Sequence, residues 1–293
     1  MASRKRKQTE KRKKDSRAPL STLADKYRCY GLSVQDPPQE VAFFDARFRE
    51  FFGRTPEHLR EDFCGTFAVC CEWVRSHQNR TAVGVDLDPE PLAWGRSRHL
   101  AELDADQRER VELLEQDVRQ RVRASRSRPK ADVLAAQNFS FWLFRTRPEL
   151  VDYFRAARSH LAAEGLMVMD MMGGSECIEE DKQDTRKVKG YGKPIGKFTY
   201  VWTNARVNPV TNEIHQTIAF RFKDGSRIEP AFEYTWRIWS IPEVREMLAE
   251  AGFTASHVYW AETNEDGEET GDWTRVEEAP ADPSWVCHLV AVR

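Results

Sequence analysis

The residues able to do chemistry in this chain recur at intervals, each at the end of a short apolar run. Cys64-Gly65-Thr66 follows the run that starts at Leu59, and Asp86 stands 21 positions after Gly65, at the end of "TAVGVD". Asp117 ends "RVELLEQD", Asn138 ends "ADVLAAQN", and Asp170 lies near the end of "LMVMDMM". A turn containing glycine lets backbone approach a ligand closely. A carboxylate ending the second run suits the hydroxyls of a ribose, and one ending the third is placed to accept from an adenine amino group. Singly, each of these residues reads as a helix cap or a turn residue. As a series they describe a nucleoside-binding edge. The chain has no G-x-G-x-x-G and no G-x-x-x-x-G-K-[ST], so neither a dinucleotide nor a P-loop phosphate cradle is indicated. Phe67 occupies a place where a dinucleotide turn needs glycine, and a nucleoside without phosphates fits better.

The runs predict strands and the segments between them predict helices. Strands are expected at Leu59–Cys64, Thr81–Leu87, Arg110–Asp117, Ala131–Asn138 and Leu166–Met172. Asp88 caps a helix with Pro89 in its first turn. Thr146-Arg-Pro-Glu149 is a capping box, and Leu150, Tyr153, Phe154, Ala157 and Leu161 follow at helical spacing, with Gly165 as the stop. Nearly all-apolar strands alternating with helices imply a parallel sheet covered on both faces, with right-handed crossovers. In an open α/β sheet, ligands bind beyond the carboxyl ends of the strands, where all five positions converge.

Beyond Gly173 the rhythm changes. Residues 173–197 are polar and read as a loop, with 179–197 a candidate lid. Then "FTYVWTNARV", "EIHQTIAFRF" and "RIEPAFEYTWRIW", separated by "NPVTN" and "KDGS", read as a three-stranded antiparallel insertion at about 174–238. Ser240-Ile-Pro-Glu243 is a second capping box, "TASHVYW" a sixth, parallel-type strand, 262–282 an acidic loop and "SWVCHLVAV" a last strand. Ahead of the first strand, "EVAFFDARFREFF" places Val41, Phe44, Phe48 and Phe51 or Phe52 near one helical face, a candidate cap spanning 21–58.

Composition excludes several classes. Hydrophobic residues make up 40% and charged residues 31%, which suits a folded chain with a polar surface. No apolar run approaches the ~20 residues that cross a membrane, and the basic N-terminus lacks the apolar stretch of a secretory signal. A soluble, cytoplasmic protein is expected. Cys29, Cys64, Cys70, Cys71, Cys177 and Cys287 form no C-x-x-C pair, so neither a disulfide framework nor a metal site is expected. Between Arg4 and Arg17, nine basic residues stand against Glu10 and Asp15, whereas the whole chain is at −2. That block, residues 1–20, is expected to be a disordered basic tail, either solubilising or in contact with RNA, over an acidic body.

"REDFCGTF", "VGVDLDPEPL", "LLEQDV", "AAQNFSFWLF" and "GLMVMDMMGG", in this order, resemble the class I S-adenosylmethionine-dependent methyltransferases, in a branch carrying a REDFCGT signature. The likeness runs from about Leu59 to Gly174 and resumes with "YTWRIWSIPEVREMLAEAGF". It implies a Rossmann-like, seven-stranded, mostly parallel sheet with helices on both faces over 59–293, an antiparallel β insertion after strand five, and a reversed hairpin at the end. It implies that Glu61 is the acid of the first motif, with Asp62 one place off register and sharing the task. Cys64, Gly65 and Thr66 would lie against the methionine part of S-adenosyl-L-methionine. Asp86 would hold the ribose with Leu87 against the adenine, Asp117 and the Val118 backbone would meet the ring, and Asn138 and Phe139 would flank the transferring methyl.

A sulfonium methyl is already activated, so the protein must align an acceptor and exclude water. Asn138, Asp170, Trp142 and Tyr191 are candidates to line the methyl, and His215 is a candidate base beside its plainer reading as a surface strand histidine. Trp202, Tyr234 and Trp236 are candidate substrate-wall residues, which ordinary sheet packing explains equally well. Three readings stay open: a methyltransferase on a small molecule, one on RNA or protein recruited by the tail, and a non-catalytic cofactor-binding protein.

Overall fold

The structure is a computed structural model that describes residues 18–121, 124–125, 128–263 and 269–293. The basic block Arg4–Arg17, with its two readings as a solubilising tail or an RNA contact, lies outside the described residues. The described chain divides into two compact units. The larger comprises 36–181, 204–215 and 234–293; the smaller comprises 18–35, 182–203 and 216–233.

The larger unit is built on one eight-stranded sheet. Its strands are β1 (His58–Asp62), β2 (Thr81–Asp86), β3 (Val111–Glu115), β4 (Ala131–Ala136), β5 (Leu161–Gly173), β10 (Ala255–Thr263), β11 (Glu269–Val276) and β12 (Trp285–Val292). They lie in the order β11-β10-β12-β5-β4-β1-β2-β3. β1 to β5 are mutually parallel, while β12 is antiparallel to both β5 and β10, so β10 runs with the parallel set. The order reverses between β1 and β4, the switch point at which such sheets open a crevice.

Helix α3 (Pro37–Phe52) enters on a capped start, with Asp36 accepting from Gln39 N and prolines in the first turn, and ends on left-handed Gly53. It buries Val41, Phe43, Phe44 and Phe48. These join Cys70, Trp73 and Val74 of α4 (Ala68–Ser76) and Leu59, Val133 and Val168 of the sheet in one core. Helices α5 (Pro89–Ser97), α6 (Ala105–Glu109), α7 (Arg147–His160) and α8 (Ile241–Glu250) complete the unit. The capping boxes expected at Thr146 and Ser240 are formed.

Three expectations change. Gly165 does not stop α7: the helix ends at His160, and Gly165 lies inside β5. The pairing jumps from Ala131↔Leu161 to Val133↔Leu166, a bulge in which a Cβ on Gly165 would stand 2.8 Å from Ala162 O. The acidic loop at 262–282 contains β11, which makes the sheet eight-stranded rather than seven-stranded. The loop at 173–197 contains a 3-10 turn (Ser175–Ile178) and β6 (Gln183–Val188), so the second sheet has four strands, β6-β7-β8-β9, rather than three. Its other members are β7 (Phe198–Asn208), β8 (Glu213–Phe222) and β9 (Arg227–Arg237), and β6 pairs antiparallel with β7. Both missed strands stand at sheet edges and carry charge instead of an apolar pattern, as edge strands do.

In the smaller unit, α1 (Leu20–Leu23) and α2 (Lys26–Val34) carry the N-terminal segment. Asp25 caps α2, and its own N–H donates to Tyr191 Oη at 2.7 Å. Tyr27 and Tyr30 pack on Phe232. No helix among the described residues is long and apolar enough to cross a membrane.

Candidate functional site

The site lies at the carboxyl ends of β1, β2 and β4. The turn after β1 is tightly wound: Phe63, Gly65 and Phe67 all have left-handed backbone, at φ 58°, 52° and 49°. Phe67 N donates to Cys64 O at 2.7 Å, closing the turn onto α4. The Phe67 side chain is fully buried and lies beneath α5. A Cβ added to Gly95 would meet Thr66 O at 2.4 Å and Phe67 Cε1 at 2.5 Å, so only glycine lets α5 sit this close to the turn. Phe67 therefore fills core and does not block the crevice.

Each acid at this edge has a defined partner. Asp86 Oδ2 accepts from Gly65 N at 2.7 Å, and Oδ1 accepts from Asp88 N at 2.9 Å; burial raises its pKa against those bonds. Glu61 Oε2 accepts from Cys70 N at 3.1 Å and from Cys70 Sγ at 2.9 Å, tying the first turn of α4 to β1. Burial pushes Glu61 up to about 8. Asp62 does not share that position. It is 1% exposed, its Oδ1 takes Arg60 Nε at 2.7 Å, and its Oδ2 takes Tyr153 Oη at 3.2 Å. Arg60 also donates to Val118 O at 3.3 Å. The R-E-D run is thus one loop-bracing acid beside one internal ion pair.

A cleft of about 450 Å³ opens next to the turn, lined by Phe63, Asp86, Leu87, Asp117, Val118 and Leu143 among others. Leu87 is 67% exposed and Leu143 44% exposed, two large apolar groups left in water at its walls. Asp117 is gripped by Arg119, which donates from Nη2 at 2.6 Å, from Nε at 3.0 Å and from its backbone N–H at 2.8 Å. That guanidinium holds the Asp117 carboxyl below its usual range.

The turn after β4 is as strained as the first. Asn138 and Phe139 are consecutive left-handed residues at φ 57° and 56°, a conformation that costs energy without glycine. Asp170 pins both: its Oδ2 accepts from Asn138 N at 2.8 Å and its Oδ1 from Phe139 N at 2.9 Å. Burial lifts Asp170 to about 6 against these bonds. Its oxygens hold a loop, which makes it a positioning group in this structure. Beside the turn stands an aromatic cluster, Phe139 with Trp142 (5.9 Å) and Trp236 (6.2 Å), and Trp236 stacked on Tyr234 (4.5 Å). Trp142 is fully buried and its Nε1 has no hydrogen-bond partner among the described residues.

Other expected residues stand elsewhere. His215 on β8 approaches Thr235 Oγ1 at 3.3 Å and lines a separate polar hollow with Arg206, Asn208, Glu213 and Thr235. That hollow shares no lining residue with the cleft. Tyr191 and Trp202 belong to the smaller unit, where Tyr191 accepts from Asp25 N and stacks under Arg28 at 4.6 Å. Sequence reasoning missed Glu40, in the first turn of α3. Burial, with the charges of Asp170 and Asp36, raises its pKa to about 7, against the Asp36 N–H that lowers it. The available signal, an acid at a helix start, has a commonplace explanation in the helix dipole.

Compared by sequence, the chain matches no family model and no curated protein. Compared by structure, it is similar to several solved methyltransferases. An S-adenosylmethionine-dependent methyltransferase of Clostridium acetobutylicum superposes with a TM-score of 0.63 at 15% identity, covering 91% of this chain and 96% of that one. An amino pentose methyltransferase of Micromonospora echinaspora, involved in calicheamicin biosynthesis and solved with S-adenosylmethionine bound, gives 0.63 at 17% identity over 91% and 95%. A sugar N-methyltransferase of Streptoalloteichus gives 0.59 at 17% identity over 92% and 93%. The fold is that of the S-adenosylmethionine-dependent methyltransferases.

Proposed function

We propose that the chain is an S-adenosyl-L-methionine-dependent methyltransferase acting on a small molecule. The observation that carries the reading is the carboxyl edge itself: two strained turns, each pinned by a carboxylate from a neighbouring strand, and, beside the first of them, a cleft with exposed apolar walls. Such strain persists where the surroundings enforce it, and it clusters at functional sites. Neighbours of the same fold, one described as an amino pentose methyltransferase and one as a sugar N-methyltransferase, support a small acceptor.

In this reading Asp86 takes the ribose hydroxyls, and Leu87 with Leu143 covers the adenine. The Val118 backbone meets the ring edge, and Asp117 accepts from its amino group while sharing with Arg119. Cys64, Gly65 and Thr66 lie along the methionine chain, with Glu61 behind them bracing the turn. Asn138 and Phe139 border the methyl, and Trp142, Tyr234 and Trp236 wall the acceptor. The residues suit this ligand: the edge is acidic and the cofactor is cationic at sulfur. When bound, the cofactor supplies an activated methyl group. The chain's own work is to hold the acceptor's lone pair in line at ~3 Å and to keep water out.

Titration calorimetry with the cofactor and with S-adenosylhomocysteine tests this. Micromolar binding to the wild type is expected, with a loss of about tenfold or more in Asp86→Ala through the lost hydroxyl bonds. Absence of binding by the intact chain overturns the reading.

A further inference from the structure

Glu40 is a half-buried acid to which the nucleoside assignments give no task. Its Oε1 receives only a long bond from Asp36 N, at 3.3 Å. Its Oε2 is buried and meets no hydrogen-bond donor among the described residues. A buried carboxylate oxygen without a donor is unfavourable and calls for a partner in the working protein.

The packing of α3 fixes where this acid points. Glu40, Phe43 and Phe44 share a helical face by their spacing. Phe43 lies on the His288 ring at 4.3 Å, and His288 stands directly opposite Asp170 in the β12–β5 register. Side chains so opposed project to the same face. At the other end of α3, Phe51 stacks on His257, which pairs with Val290, itself opposite Val168. The helix therefore runs with its first turn toward the carboxyl end of β5, near Asp170, the acid that pins the strained Asn138-Phe139 turn.

Among the described residues, the ionisable groups that act on Glu40 offer it no positive charge. Asp36 comes from its own cap and Asp170 from β5, and the Glu40 charge in turn raises Glu61 of β1. From β12, His288 is held neutral, its pKa lowered to about 4 by burial. An acid so placed is matched to a cation.

We propose that Glu40 receives the ammonium group of the methyl acceptor, so that the acceptor is an amine whose nitrogen surrenders its proton to Glu40. This rests on the methyltransferase reading. The ammonium gives one proton to the Glu40 carboxylate, which becomes a carboxylic acid, and the nitrogen regains its lone pair. The nitrogen then forms a bond to the methyl carbon as the carbon–sulfur bond breaks, its electron pair staying on sulfur. The positive charge passes from sulfur to the new methylammonium, and the Glu40 proton returns to solvent. An acid titrating near neutrality is suited to this exchange. A hydroxyl acceptor would bring no charge to offset a buried carboxylate.

Sinefungin is the probe, because it carries an amine where the transferred methyl stands. Its affinity and that of S-adenosylhomocysteine are measured by calorimetry on the full chain, for wild type and Glu40→Gln, at pH 5.5 and 8. At pH 8 the wild type is expected to prefer sinefungin by about tenfold, the scale of one charge-assisted bond. In Glu40→Gln the two ligands should come within about threefold, with homocysteine-ligand affinity unchanged. The wild-type preference should shrink at pH 5.5 as Glu40 gains its proton. Glu40→Ala, read the same way, guards against a folding defect in the first variant. A sinefungin preference that survives in both variants overturns the proposal. An equal loss for both ligands also overturns it, by assigning Glu40 to the cofactor's own ammonium. If the wild type binds neither ligand, it is the methyltransferase reading that fails.

Discussion

Replacing Arg60 with methionine isolates the role of the second acid in the R-E-D run. The Arg60 and Asp62 side chains are 5% and 0% exposed and meet at 2.7 Å. In Arg60→Met, Asp62 stays in the core with only the Tyr153 hydroxyl to satisfy it. Breaking one side of a buried pair typically costs about 3–5 kcal/mol, chiefly because the remaining charge is left uncompensated. At roughly 2–4 °C per kcal/mol for a domain of this size, that is a fall of roughly 6–20 °C in melting temperature. Arg60→Met/Asp62→Leu removes both charges and should recover most of the loss, to within about 1–2 kcal/mol of wild type. Urea unfolding followed by tryptophan fluorescence and circular dichroism reads all three proteins. A loss below ~1 kcal/mol in the single variant, or a double variant no more stable than the single, would refute a structural role for the pair. The folded double variant should also bind S-adenosylhomocysteine within about threefold of wild type; a tenfold loss (~1.4 kcal/mol) would return Asp62 to the cofactor.

Four further outcomes follow from the same geometry. Gly95→Ala forces a methyl against Thr66 O and the Phe67 ring, and should cost about 1–3 kcal/mol in unfolding experiments and weaken homocysteine-ligand binding through the displaced turn. Leu87→Ala should lower that affinity about three- to tenfold in calorimetry while leaving the melting temperature within a degree or two, since the side chain is 67% exposed. The ligand-free protein should lose stability as pH rises. Burial raises Glu61 to about 8 and Glu40 to about 7, so the folded state holds protons that the unfolded chain releases near 4.5, and that stabilisation fades up to about pH 8. His160 and His288, lowered to about 4, act oppositely but only below about 6.5, so the decline should show above pH 6.5 and be shallower in Glu61→Gln. His215→Ala should leave methyl transfer within about twofold, because its hollow is separate from the cleft.

What the sequence revealed and what it hid divide along a physical line. Apolar runs fix β1 to β5, and the parallel order places their last residues at one edge whatever their side chains do; hence Asp86, Asp117, Asn138 and Asp170 were legible. Edge strands β6 and β11 were not, because a charged edge carries no periodic signal. Pairing at short range was hidden too. Three adjacent charges in Arg60-Glu61-Asp62 alternate between faces of a strand, and only the fold decides that Arg60 closes on Asp62 while Glu61 meets Cys70. Phe67 stands where a dinucleotide turn needs glycine; the structure puts its ring under Gly95 and leaves only its left-handed backbone unusual. That backbone is the more informative fact. Of the six non-glycine residues with positive φ among those described, four are Phe63, Phe67, Asn138 and Phe139, in the two turns that flank the site. Each turn is held by a carboxylate bonded to its N–H groups, Asp86 at Gly65 and Asp170 at Asn138 and Phe139. Asp86 and Asp170 at this edge thus brace strained loops. Any affinity lost when Asp86 or Asp170 is changed therefore mixes a broken contact with a relaxed turn, whereas Glu40, which takes only the long Asp36 N bond at 3.3 Å, offers the cleaner reading of charge at the proposed transfer position.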